Sequence, residues 1–111
     1  MPILIKGSGG VPVDETVIPL CNVTITHNDA DNEDEMMQIL GLRTNGDRFG
    51  DTLEYGESRT FETNMPFVIM SYIDTRFDCV GAQHTSTQHD ISGLYVEMFV
   101  PVEENVSVSV G

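Results

Sequence analysis

The chain has no tryptophan, only two cysteines, and only five lysines and arginines against 18 aspartates and glutamates. Each shortage excludes something. Without tryptophan, the core must be assembled from Val, Ile, Leu, Met and Phe. The formal net charge of −13 repels phosphate, which argues against direct nucleic-acid binding and against anionic membrane surfaces. No apolar run approaches the ~20 residues of a transmembrane helix. The opening Met1-Pro2-Ile3-Leu4-Ile5-Lys6-Gly7 is too short an apolar run for a signal peptide and no small-residue cleavage site follows, so synthesis in the cytoplasm is expected. In that reducing setting Cys21 and Cys79 are expected as thiols, a disulfide requiring Cα atoms within ~7 Å.

Catalytic framing motifs are missing as well. There is no C-x-x-C, no G-x-S-x-G elbow, and no lysine-serine/threonine or helix after the glycines of Gly7-Ser8-Gly9-Gly10 that would hold a phosphate. His84 and His89, with Asp78, Cys79 and Asp90 nearby, supply transition-metal ligand types, but their spacing matches no closed zinc pattern. Ser86 or Cys79 could be paired with either histidine on paper, yet a Thr/Ser-rich polar loop supplies the same composition. No catalytic residue is assigned. Asp29, Asp31 and Glu33 fall at alternate positions, as in the first half of a calcium loop. An EF-hand would need glycine at Asp34 and glutamate at Leu40, so only a looser calcium site is left as a candidate, beside a solvated acidic turn.

What the chain does carry is period-2 alternation. The tail Asn105-Val106-Ser107-Val108-Ser109-Val110 points three valines one way and two serines the other. Leu20–His27 places Cys21, Val23 and Ile25 on one face. The stretch 36–44 reads as a strand ending at the turn Asn45-Gly46, with a short helix capped by Asn32 and Glu35 as the alternative. Two short strands flank Gly56. Phe67–Ile73 is apolar on both faces, as a central strand covered on both sides would be. Residues 74–93 read mostly as loop, and Leu94, Val96, Met98 and Val100 as the core face of a further strand. The expected core is Val23, Ile25, Phe61, Val68, Met70, Val96 and Met98. These elements amount to an all-β single sandwich of about seven strands, immunoglobulin-like or jelly-roll-like. The division expected is an N-terminal arm and glycine hinge over residues 1–10 and the sandwich over 11–111. In the arm, Ile3, Leu4, Ile5 and Lys6 are suited to adding a strand to a neighbour.

Cys21 opening a Val-Thr-Ile-Thr strand, Asp74–Cys79 with Phe77 in a tyrosine's place, and Ser107–Val110 together resemble immunoglobulin-like domains. The family's tryptophan is absent, so that resemblance bears on shape only. Met1–Gly10 is similar to the short strand and hinge that open many small structural proteins of tailed bacteriophages, and Leu53-Glu54-Tyr55-Gly56-Glu57-Ser58-Arg59-Thr60-Phe61 resembles a strand-turn-strand of virion β-sandwich modules. This resemblance implies a non-enzymatic structural protein of a virion, a capsid decoration or a tail-associated module, homo-oligomeric and partnered with other virion proteins. The alternative is a sandwich that binds carbohydrate or a surface partner through its loops, with calcium as an aid.

Overall fold

The computed structural model describes residues 20–42 and 46–111. The arm Ile3, Leu4, Ile5 and Lys6 and the hinge therefore lie outside the described residues. Among the described residues nine strands, where about seven were expected, form two packed sheets. They are β1 (Cys21–His27), β2 (Met37–Leu42), β3 (Arg48–Leu53), β4 (Ser58–Thr63), β5 (Phe67–Ser71), β6 (Phe77–Val80), β7 (Ala82–His89), β8 (Tyr95–Pro101) and β9 (Asn105–Val110). One sheet has the order β4-β1-β9-β6 and the other β3-β2-β5-β8-β7. Only β2–β3 and β7–β8 follow each other within a sheet as paired neighbours; every other connection crosses between the sheets. The expected sandwich is what forms, with β1 and β9 running parallel at the centre of the four-stranded sheet.

The valine alternation of β1 and β9 produces half of the core. Cys21, Val23 and Ile25 and, beside them, Val106, Val108 and Val110 all face inward and are buried. The other half comes from Met37, Ile39, Leu53, Phe67, Ile69 and Phe99. All five phenylalanines meet here. Phe49 packs on Phe61 with centroids 4.8 Å apart, Phe61 on Phe67 at 5.4 Å, Phe67 on Phe99 at 5.4 Å, and Phe99 on Phe77 at 5.3 Å. This row of rings crosses between the sheets repeatedly. Gly41 allows it: a Cβ there would sit 2.8 Å from the Phe49 ring.

The row also corrects the expected strand faces. Phe67, Ile69 and Ser71 point inward from β5, and Glu97, Phe99 and Pro101 from β8. Val68, Met70, Val96 and Met98 therefore face outward, not into the core, as does Val100. The apolar row on β8 was the wrong one to choose, because the inward row contains a glutamate whose carboxylate is satisfied from the neighbouring strand. Of the expected core, Val23 and Ile25 are fully buried, and Phe61 is half-buried against the cluster.

Residues 74–93 are likewise not mostly loop. They contain β6, a tight turn at Gly81 with φ +81°, and β7, an edge strand of Thr, Ser, Gln and His with almost no buried side chain. Its strand character is invisible to hydrophobic patterning, because an edge strand with a wet face needs no apolar row. Asp90 closes the β7–β8 connection, its Oδ1 accepting from the N–H and hydroxyl of Ser92 and from the N–H of Leu94. The segment 36–44 is a strand over Met37–Leu42, as preferred from the sequence.

The cysteines sit far apart. Cys79 lies opposite Val108, and Val108 opposite Ile25, so Cys79 and Cys21 are two strands and four residues removed. At ~4.8 Å per strand and ~3.3 Å per residue, no disulfide can close between them. Both are thiols. Burial raises the pKa of each, with Glu104 adding to the effect at Cys21 and Asp78 at Cys79.

Two substitution pairs test this packing. Phe99→Ala should cost about 3–5 kcal/mol in urea unfolding, and its neighbour Met98→Ala less than about 1 kcal/mol; the reverse order would put β8 in the opposite phase. Gly81→Ala should cost more than Gly56→Ala by at least about 1 kcal/mol. Both glycines have positive φ, but a Cβ at Gly81 would overlap the Asn105 carbonyl, whereas nothing lies within 4 Å at Gly56.

Candidate interaction surface

The two outward faces of the sandwich differ in kind. On the four-stranded sheet the outward residues are Asn22, Thr24 and Thr26 on β1, Ser58, Thr60 and Glu62 on β4, Asn105, Ser107 and Ser109 on β9, and Asp78 and Val80 on β6. Their hydroxyls pair across the strands, Thr24 with Thr60 at 3.2 Å and Thr26 with Ser58 at 2.8 Å. This is the ordinary solvated side of an antiparallel pair.

The outward face of the five-stranded sheet is apolar through its middle. Cross-strand register aligns Leu40 of β2 with Val68 of β5, Val68 with Met98 of β8, and Met70 of β5 with Val96 of β8. Leu40 is 40% exposed and Met98 39%. Polar but uncharged Gln38, Thr52, Gln83, Ser86 and Gln88 frame them, and Arg48 is the single charge among the outward strand residues. The acids of the described strands are Asp51, Glu62, Asp78 and Glu97, and none points outward from the middle of this face, Asp51 alone reaching its β3 edge beside Leu40. In a chain with 18 acids, that exclusion is the sharpest feature of its surface. Exposed apolar area of this kind, poor in charge and bearing methionine, is the composition from which contact surfaces are commonly built.

A hollow of about 300 Å³ lies at the β2–β3 edge among Gln38, Leu40, Asp51 and Thr52, and two further hollows lie toward the ends of the strands. One, of about 370 Å³, lies at the end where β2 finishes and β5 begins, among Leu40, Leu42, Arg48, Pro66, Val68 and Met98. The other, of about 300 Å³, lies at the opposite end, among Met36, Met70, Tyr72 and Leu94. Tyr72 stands 65% exposed beside it.

The remaining candidates fall elsewhere. Asp29 is buried at the start of a short 3-10 turn over Ala30–Asn32. Its carboxylate accepts from Thr75 Oγ1 at 2.7 Å, Asn32 Nδ2 at 2.7 Å and the Asp31 N–H at 3.2 Å. Those bonds, the Thr75 bond foremost, hold its pKa below the usual aspartate range. Asp31 and Glu33 are exposed, so the alternating acids are not drawn into one cage. Among the described residues no three His, Cys, Asp or Glu side chains gather as a metal site requires. The loop is anchored instead through buried His27, whose Nδ1 accepts from the Asp29 N–H and whose Nε2 therefore donates to the Glu35 carbonyl at 3.1 Å.

His84 and His89 do not converge. His89 stacks on Tyr95 with centroids 4.0 Å apart. His84 stacks on Phe99 at 4.7 Å, and its Nε2 lies 2.7 Å from Oε1 of buried Glu97, which also accepts from Thr87 Oγ1 at 2.5 Å. Nε2 is assigned as the donor because a carboxylate only accepts. Ser86 projects from the opposite face of β7. Phe77, the one aromatic that residues 74–93 offered to a loop-based binding site, packs inward on Phe99.

Sequence reasoning missed the outward row Leu40, Val68, Met70, Val96 and Met98 as a surface. The signal was present, since β5 is apolar in both phases. Comparison with protein-family models, curated proteins and solved structures finds no match to this chain.

The Asp29 geometry has a pH consequence. Its folded pKa is depressed, so its stabilisation is present in full above the ordinary aspartate value of about 3.9 and is lost as pH falls through the folded value. Asp29→Asn should therefore be less stable than the parent at neutral pH, with the gap closing in acid below that value. A gap constant from neutral pH to pH ~2 in thermal melts would mean the carboxylate charge contributes nothing.

Proposed function

We propose that this chain is a non-enzymatic assembly module that works by contact, through the outward face of its five-stranded sheet. One observation carries the reading: among the described strands of a −13 chain, no acid points out of the middle of one apolar, methionine-bearing sheet face. Burying that face removes apolar area from water without stranding a carboxylate. A catalytic reading gains less support, because the histidines are taken up by stacking and by one buried glutamate.

The setting we propose is the virion of a tailed bacteriophage, as a capsid decoration or tail-associated module. Its support is the likeness of Met1–Gly10 and of Leu53–Phe61 to parts of such proteins. The second stretch forms the end of β3, a turn at Gly56 and most of β4. The arm Ile3–Lys6 is a second contact element in this reading.

Methionine oxidation tests the contact. The full chain is exposed to dilute peroxide in the cells that make it and as a dilute purified protein. Met98 and Met36 should oxidise several-fold more slowly in the cell. Met65, 39% exposed on the β4–β5 loop, is the open reference, and Met37, fully buried, the closed one. Equal rates for Met98 in both settings would overturn the proposed surface.

A further inference from the structure

The geometry points to a second copy of this chain as the occupant of the apolar face, packed sheet against sheet about a two-fold axis. This assignment rests on the contact reading above and names its partner.

Charge selects the occupant first. Two copies at −13 repel, and like charges brought opposite each other in an interface cost several kcal/mol. The polar sheet face would set Glu62 and Asp78 against their counterparts, and the loop-rich ends carry most of the remaining acids. The middle of the five-stranded sheet's outward face is where two copies can meet without acid opposite acid, Asp51 reaching only its β3 edge and being paired there with Arg59. A basic partner would gain nothing from this face and would be drawn to the others.

Size is the second argument. Five strands at ~4.8 Å and about six residues at ~3.3 Å give a face of roughly 500 Å² per copy. With the exposed Met36 and Tyr72 at its end, two copies bury about 1,000–1,200 Å², the lower bound of specific interfaces.

Self-complementarity is the third. A two-fold contact sets each feature against a different feature of the partner. An axis lying between the sheets and across the strands reverses the strand direction. It carries the exposed Tyr72 of one copy toward the 370 Å³ hollow of the other, where Arg48 supplies a cation for the ring. The hollow and the projecting ring stand at opposite ends of one face, as such an axis requires.

Light scattering on the purified full chain across a concentration series tests this. The parent should reach the mass of a dimer at micromolar concentration, and more readily as salt screens the net charge. Met98→Glu places two acids in the dry centre and should weaken the dimer about a hundredfold or more while the monomer still melts cooperatively. If Met98→Glu fails to fold, Ser86→Glu, exposed on β7 opposite Met98, gives the same reading. A parent that stays monomeric to millimolar concentration overturns the second copy. If Met98 is nevertheless protected in the cell, the contact surface stands with a different partner; if it is not, both fall. An unchanged dimer in folded Met98→Glu would place self-association on another surface and overturn the inference.

Discussion

The ring contacts that run from Phe49 through Phe61, Phe67 and Phe99 to Phe77 join both sheets and orient five strands at once. Each ring buries on the order of 150–250 Å² and prefers a neighbouring ring at 4.5–7 Å, so the set outweighs any single aliphatic contact. Because strand side chains alternate, turning Phe67 and Phe99 inward compels Val68 and Met98 to turn outward. The apolar outward face is thus a consequence of the core. The same residues could have been placed inward only by expelling two of the five rings.

That choice of phase has a cost inside β8. Glu97 follows Phe99 inward and is buried. A buried carboxylate without partners costs several kcal/mol. Here the cost is offset by Thr87 and His84, both delivered by β7. The irregular register between His84 and Ser86 brings both to the inner face three residues apart, where strict alternation would have turned one of them out. The bulge, the histidine stack on Phe99 and the buried glutamate are therefore one arrangement, and the polar edge strand β7 has a structural task despite its exposure.

This explains how much of the molecule could be read from its residues. β1 and β9 were legible because valine alternates with threonine and serine, leaving one possible phase. The sandwich and the strand at Met37–Leu42 were legible for related reasons of pattern and turn chemistry. β8 was not, since Tyr95-Val96-Glu97-Met98-Phe99-Val100 offers one wholly apolar row and one containing glutamate. The second is inside because its carboxylate finds partners about ten residues away in sequence, on a strand that patterning had read as loop. β6 and β7 escaped for want of apolar period. Of the candidate sites, the acidic loop holds a short 3-10 turn with Asp29 serving as its internal brace, an arrangement its alternating acids do not announce. The contact face was hidden by the same phase choice that misplaced Val96 and Met98.

Negative charge and the apolar face act together. With one sheet face hydroxylated and the loops acidic, chance encounters between copies, or with other apolar proteins, are repelled over most of the surface. Such repulsion is screened beyond about 10 Å in ordinary salt, so it orients approaching molecules only at the last step. At that distance the outward face of the five-stranded sheet alone offers dehydration without a buried acid. An apolar face on a neutral chain would associate indiscriminately. Surrounded by acids, the same face would in the proposed reading accept only a surface that fits it closely enough to shed water while keeping its own charges away. In the proposed contact reading the acidity of the chain is then a condition of selective assembly, and the distribution of its carboxylates, more than their number, leaves room for one contact.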